Sequence, residues 1–112
     1  MKFKSYYAKN DNLINELIKD TNYVFLPSGK VFRHNGNIYR PTGNAKTTKN
    51  GKVYRHLKYK GQNLLVHRII YRYFVGKLQA DRVINHIDGN GLNNQVSNLE
   101  LITRQENRLV AT

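Results

Sequence analysis

The sequence predicts a small α+β protein: a helix and a basic β-meander, a second helix, then a C-terminal strand–loop–strand–helix unit. Three observations carry this. Short runs of alternating apolar and polar residues, broken by Pro- and Gly-containing turns, fill residues 21–62. Residues 66–75 carry an apolar stripe at helical spacing. Residues 82–107 contain two short strand patterns around a polar, Asn-rich loop, closed by a helix-start signal. At 112 residues and 39% hydrophobic content, the chain suffices for one domain with a modest core. We therefore expect one unit over 1–112, with 1–62 forming the first helix and meander and 63–112 the rest.

Taken in order, residues 9–20 place Leu13, Ile14, Leu17 and Ile18 on one helical stripe, with Asn10 or Asp11 as the expected N-cap. A helix packed on the domain is the plain reading, and a helix that docks a partner the other. Residues 23–40 read as a strand meander. Pro27 and Gly29 suit a type I turn, and Asn35-Gly36 is the usual type I′ hairpin dipeptide. Residues 42–51 are polar, with Lys46, Lys49 and two glycines, so a flexible basic loop is expected.

Residues 53–60 form the next expected strand. Val53, Leu57 and Tyr59 take one face, and Tyr54, His56, Lys58 and Lys60 the other. That second face interleaves a ring with cations, which suits either a phosphate-tracking surface or a solvated sheet face. After a turn at residues 60–62, Val66, Ile69, Ile70 and Tyr73, widened by Phe74, give the second helix its stripe, and Gly76 ends it. Arg68, Tyr71 and Arg72 point away from the stripe, with His67 at its edge. Residues 82–87 then read as a strand running into Asp88-Gly89-Asn90-Gly91, and residues 99–103 as a second strand. Thr103 and Glu106 match a capping box, so a helix should start at Thr103 and carry Asn107 in its first turns.

Nineteen Lys and Arg against seven Asp and Glu give a net charge of +12. Ordinary solubility charge for a small domain is about 2–8 in magnitude. Such an excess points to a polyanion, since each phosphate contact releases counterions. No long basic amphipathic helix is evident, which favours nucleic acid over a membrane surface. No apolar run nears the roughly eighteen residues of a membrane span, and the first residues lack a signal-peptide core, so a cytoplasmic protein is expected. With no cysteine there is neither a disulfide framework nor a Cys-ligated zinc.

The segment from Val66-His67-Arg68 through Asn85-His86-Ile87-Asp88-Gly89-Asn90, Asn93-Asn94 and Asn98-Leu99 to Glu106-Asn107 resembles the HNH endonucleases, the ββα-metal nucleases, in their phage- and intron-encoded homing-type form. The resemblance implies a metal-dependent DNA endonuclease that leaves 3′-hydroxyl and 5′-phosphate ends, acting on double-stranded DNA as a monomer or weak homodimer. It assigns His86 as general base, Asn107 as a metal ligand and Asn98 as the residue pinning the loop that orients His86. Asn85 stands where the family usually has a metal-binding Asp. Chemistry agrees with the assignment: a histidine titrating near neutrality can take a proton from water, and a hard divalent ion can neutralise the leaving oxygen.

One divalent ion is expected, Mg²⁺ with Mn²⁺ as a substitute, and no zinc. Two neutral amides offer oxygen without charge, so metal binding should lean on the DNA phosphate. Asp88 is the carboxylate near the base, but its Asp-Gly-Asn setting makes it a turn former first, as Asn90, Asn93 and Asn94 are. DNA contacts are expected from Lys46, Lys49, His56, Lys58, Lys60, His67, Arg68 and Arg104, although His67 reads from physics alone as a structural histidine. The competing reading is a noncatalytic basic nucleic-acid-binding protein on a decayed nuclease scaffold.

Overall fold

A computed structural model describes residues 8–79, 82–103 and 105–106. Helix α1 (Ala8–Leu17) precedes β1 (Tyr23–Phe25), β2 (Val31–His34) and β3 (Tyr39–Pro41), which form one antiparallel sheet. A second antiparallel sheet holds β4 (Asn44–Thr47), β5 (Val53–Tyr59) and β6 (Gln62–Leu65). Helix α2 (Val66–Phe74) leads to the antiparallel pair β7 (Arg82–His86) and β8 (Leu99–Thr103). The architecture is α+β, as expected.

α2 is the hub, packing against α1, β5, β6 and β7. Its Val66, Ile69 and Ile70 are fully buried with Ile14 and Leu17 of α1, Leu57 of β5 and Leu64 of β6. Each such side chain contributes about 1.5–3 kcal/mol over an exposed one. The stripe ends sooner than its spacing suggests: Tyr73 is 47% exposed, its ring set against Phe25 and Phe74. Gly76 is not in the left-handed conformation; Val75 caps the helix, and both amides donate to Tyr71 O.

Several local expectations are corrected. α1 starts before Asn10 and Asp11, which puts Asp11 in its first turn. Residues 42–51 are not all loop, because β4 pairs with β5 from Asn44↔His56 to Thr47↔Val53. Asn35-Gly36 is not a two-residue hairpin. His34 pairs with Tyr39, and Asn35 Oδ1 accepts from the amides of Asn37 and Ile38 within a four-residue loop. The two-residue connection lies at Lys60-Gly61, between paired Tyr59 and Gln62, with both φ angles positive at 48° and 79°. Those are the signs a type I′ turn demands, and Lys60 tolerates one of them.

Arg68 is the largest correction. It is 2% exposed, and its guanidinium forks onto Asp11, with Nη2 at 2.8 Å from Oδ2 and 2.9 Å from Oδ1. The bond locks α1 to α2 and removes Arg68 from the DNA-contacting set. Lys60 is similarly engaged, 2.8 Å from Glu16 Oε1. Removing one partner of a buried pair strands the other's charge. Arg68→Ala should therefore lower the unfolding free energy by about 3 kcal/mol, read from urea denaturation, with the DNA affinity of the folded protein unchanged.

Candidate active site

β7 and β8 pair in register, with Asn85 opposite Glu100 and His86 opposite Leu99. Alternation sends Ile84 and His86 inward and Asn85 to the other face, beside Glu100. Between the strands, residues 87–98 form a loop tied to itself by side-chain amides. Asn98 Oδ1 accepts from the Asp88 amide at 3.0 Å, and its Nδ2 donates to Asp88 Oδ1 and Asn93 O, both at 2.9 Å. Asn93 Nδ2 donates to Asp88 Oδ2 at 2.8 Å. The Asn98 side chain is thus the knot of the loop. Bonds from Asn93, the Asn90 amide and Asn98 hold the Asp88 carboxyl below the usual carboxylate range. With both oxygens occupied, Asp88 is a turn former.

His86 is 7% exposed, and its Nε2 lies 2.8 Å from Asn94 Oδ1. A carboxamide oxygen only accepts, so Nε2 carries the proton and Nδ1 is the basic nitrogen. Asn94, itself 3% exposed, is a site residue that loop-forming chemistry alone did not single out. Its sequence signals are its place in an Asn-rich turn and in the segment that carries the family resemblance, and neither points to a contact with His86.

Two glycines press the earlier sheets against this loop. A β-carbon on Gly29 (φ +91°) would overlap the backbone of Asn94, and one on Gly91 would overlap Val53 O and the Tyr54 ring. The Val96 amide also donates to Pro27 O at 2.9 Å. The meander therefore braces the loop that orients His86.

Rings complete the wall. The His67 ring stands edge-on to His86 at 4.7 Å, and Tyr54 lies 5.5 Å from His67 and 5.8 Å from His86. Burial above all, with the positive charge of Arg68 adding to it, drives the His67 pKa well below its ordinary value. His67 is neutral and enclosed, so it is a wall of the site and not a phosphate contact. His56 is pushed down by burial and by Lys46, so it too is uncharged near pH 7.

Of the expected DNA-contacting cations, Lys46, Lys49 and Lys58 are exposed. Lys46 is the one tied to the site, paired across the strands with Tyr54. Arg104 and Asn107 lie outside the described residues. The capping box ahead of them is formed: Glu106 N donates to Thr103 Oγ1 at 3.0 Å and Thr103 N to Glu106 Oε1 at 2.9 Å.

Asn85 Nδ2 donates to Glu100 Oε1 at 2.9 Å. Asp88 is thus not the sole carboxylate near His86, since Glu100 faces Asn85 across the sheet. The bond commits the amide nitrogen and leaves Asn85 Oδ1 as a donor for a cation. Amide and carboxylate oxygens, with no thiolate, suit a hard ion such as Mg²⁺ or Mn²⁺.

Residues 64–109 match the family described as HNH endonuclease. An SPbeta prophage-derived candidate HNH homing endonuclease of Bacillus subtilis (strain 168) is 50% identical over 58 residues, 52% of this chain and 34% of that protein. An uncharacterised HNH endonuclease of Acanthamoeba polyphaga mimivirus is 33% identical over 78 residues, 59% of this chain and 24% of its own length. The chain spans about a third or less of either relative. The fold is shared with the HNH homing endonuclease I-HmuI, solved in a study of DNA binding and cleavage. That likeness has a TM-score of 0.60 and 24% identity, over 80% of this chain and 51% of the other.

The buried, neutral His67 has a consequence for stability. The unfolded chain takes up a proton at this residue below about pH 6.5, and the folded one does not. Its contribution is therefore complete above pH 6.5 and is lost as the pH falls below it, by at most about 1.4 kcal/mol per pH unit. Urea midpoints measured at pH 7, 6 and 5 should fall steadily, and His67→Leu should flatten that fall.

Proposed function

We propose that this protein, whose residues 64–109 match the HNH endonuclease family, is a metal-dependent endonuclease. It hydrolyses DNA phosphodiester bonds with His86 as general base. The observation that carries this reading is the bond from His86 Nε2 to Asn94 Oδ1. It fixes the tautomer that leaves Nδ1 free to take a proton from an attacking water. Burial among Tyr54, His67 and Asn94 holds the ring in one orientation, and Asn98 holds the loop that carries Asn94.

A divalent ion, when bound, neutralises charge on the departing 3′-oxygen. Asn85 and Asn107 are the residues that would hold it, with the DNA phosphate completing the shell. The net charge of +12 and exposed Lys46, beside Tyr54, supply attraction for the backbone. A single site of this kind serves one strand, so a monomer nicks.

Supercoiled plasmid incubated with wild type and Mg²⁺ or Mn²⁺ should convert to open circle, and EDTA should abolish the conversion. His86→Ala should lose about a hundred- to ten-thousandfold in rate, the span of a general base, while still shifting DNA in a gel. Binding by both proteins with no product under either metal would overturn the enzyme reading in favour of a binding-only scaffold. Asn94→Leu frees the ring to adopt the other tautomer. It should slow nicking by about ten- to a hundredfold at unchanged DNA affinity.

A further inference from the structure

We infer that Glu100 is a positioning residue for the metal site, supplying through Asn85 the negative charge that position 85 lacks. This rests on the nuclease reading above. Carboxylates are scarce in this chain, seven against nineteen cations, and most of those described have an evident structural task. Asp11 holds Arg68, Glu16 holds Lys60, and Asp20 binds Tyr59 Oη and the Asn22 amide. Asp88 ties the loop, and Glu106 closes the capping box.

Glu100 stands apart. It is exposed on a short strand of a protein that must approach a polyanion, where a negative charge works against binding. The partner it takes is the neutral amide of Asn85, at 2.9 Å.

The geometry gives that charge a use. A carboxylate only accepts, so Asn85 must present Nδ2 to it and keep Oδ1 free. An amide that donates to an anion is polarised, with electron density drawn onto its oxygen, which makes Oδ1 the better ligand for a hard cation. Asn85 and Glu100 together then do what one aspartate does at the same place, with the charge one residue further out. The paired register Asn85↔Glu100 fixes the arrangement in the backbone.

The test is Mn²⁺ binding to DNA-free protein, followed by electron paramagnetic resonance, with melting and gel shifts run in EDTA. Glu100→Gln keeps shape and exposure but removes the charge. It should bind Mn²⁺ about ten- to a hundredfold more weakly, while melting as the wild type does and binding DNA at least as well. Combining Asn85→Asp with Glu100→Gln returns the charge to the other partner and keeps a hydrogen bond between them, so Mn²⁺ affinity should recover.

Unchanged Mn²⁺ affinity in Glu100→Gln, with wild type binding the ion and nicking DNA, would overturn this inference and leave the nuclease reading standing. A wild type that neither binds Mn²⁺ nor nicks would overturn both. Recovery failing in the double variant would show that Glu100 acts by something other than charge, and would equally overturn it.

Discussion

One constraint governs this molecule: the His86 ring must stay buried and singly oriented in a chain that carries a net charge of +12. Cations repel a second cation, and burial penalises a charge outright, so the ring's surroundings are uncharged. His86 is enclosed by Asn94, Tyr54 and a second imidazole that burial itself keeps neutral. Arg68, buried and next to His67 in sequence, is turned onto Asp11 and holds two helices together. Separation of charge from the His86 ring is what the packing accomplishes.

The brace for that ring comes from a distance in sequence. Asn94 meets the backbone at Gly29, Val96 hydrogen-bonds Pro27, and Gly91 admits Val53 and Tyr54. At Gly29 and Gly91 a methyl group would collide with backbone, so the approach of sheet to loop is set by the missing side chain. The two N-terminal sheets therefore act on the site as a wall against which a polar loop is pressed. Without that wall, the amide knot at Asn98 would have to hold the loop in water, where each bond contributes little net free energy.

Much of this was legible in the sequence. Elements with strong local signals were read correctly: the Leu13–Ile18 stripe, the α2 stripe through Ile70, both strands of the C-terminal pair, and the reciprocal bonds of Thr103 and Glu106. Asn98 as the residue that pins the loop came from the family resemblance, and its bonds to Asp88 and Asn93 agree with that role. What escaped depends on pairing across long separations. β4 is Asn-Ala-Lys-Thr, exposed throughout, and is a strand only because β5 lies beside it. The type I′ turn fell at Lys60-Gly61 and not at Asn35-Gly36, since register on either side dictates where two residues must suffice. Arg68 looked like a surface cation until its partner 57 residues away was known.

Asn94 and Glu100 escaped for a subtler reason. Each is polar, sits where polar residues are common, and takes its meaning from one hydrogen bond to a residue that was already suspected. Asn94 fixes which nitrogen of His86 is basic; Glu100 fixes which atom of Asn85 faces a cation. In both cases the first residue offers the chemistry and the second decides its orientation, as carboxamides and imidazoles have two chemically different ends. A site made from such ambidextrous groups needs a partner for each. The cross-strand register and the tight loop deliver those partners, which a list of reactive residues along the chain cannot.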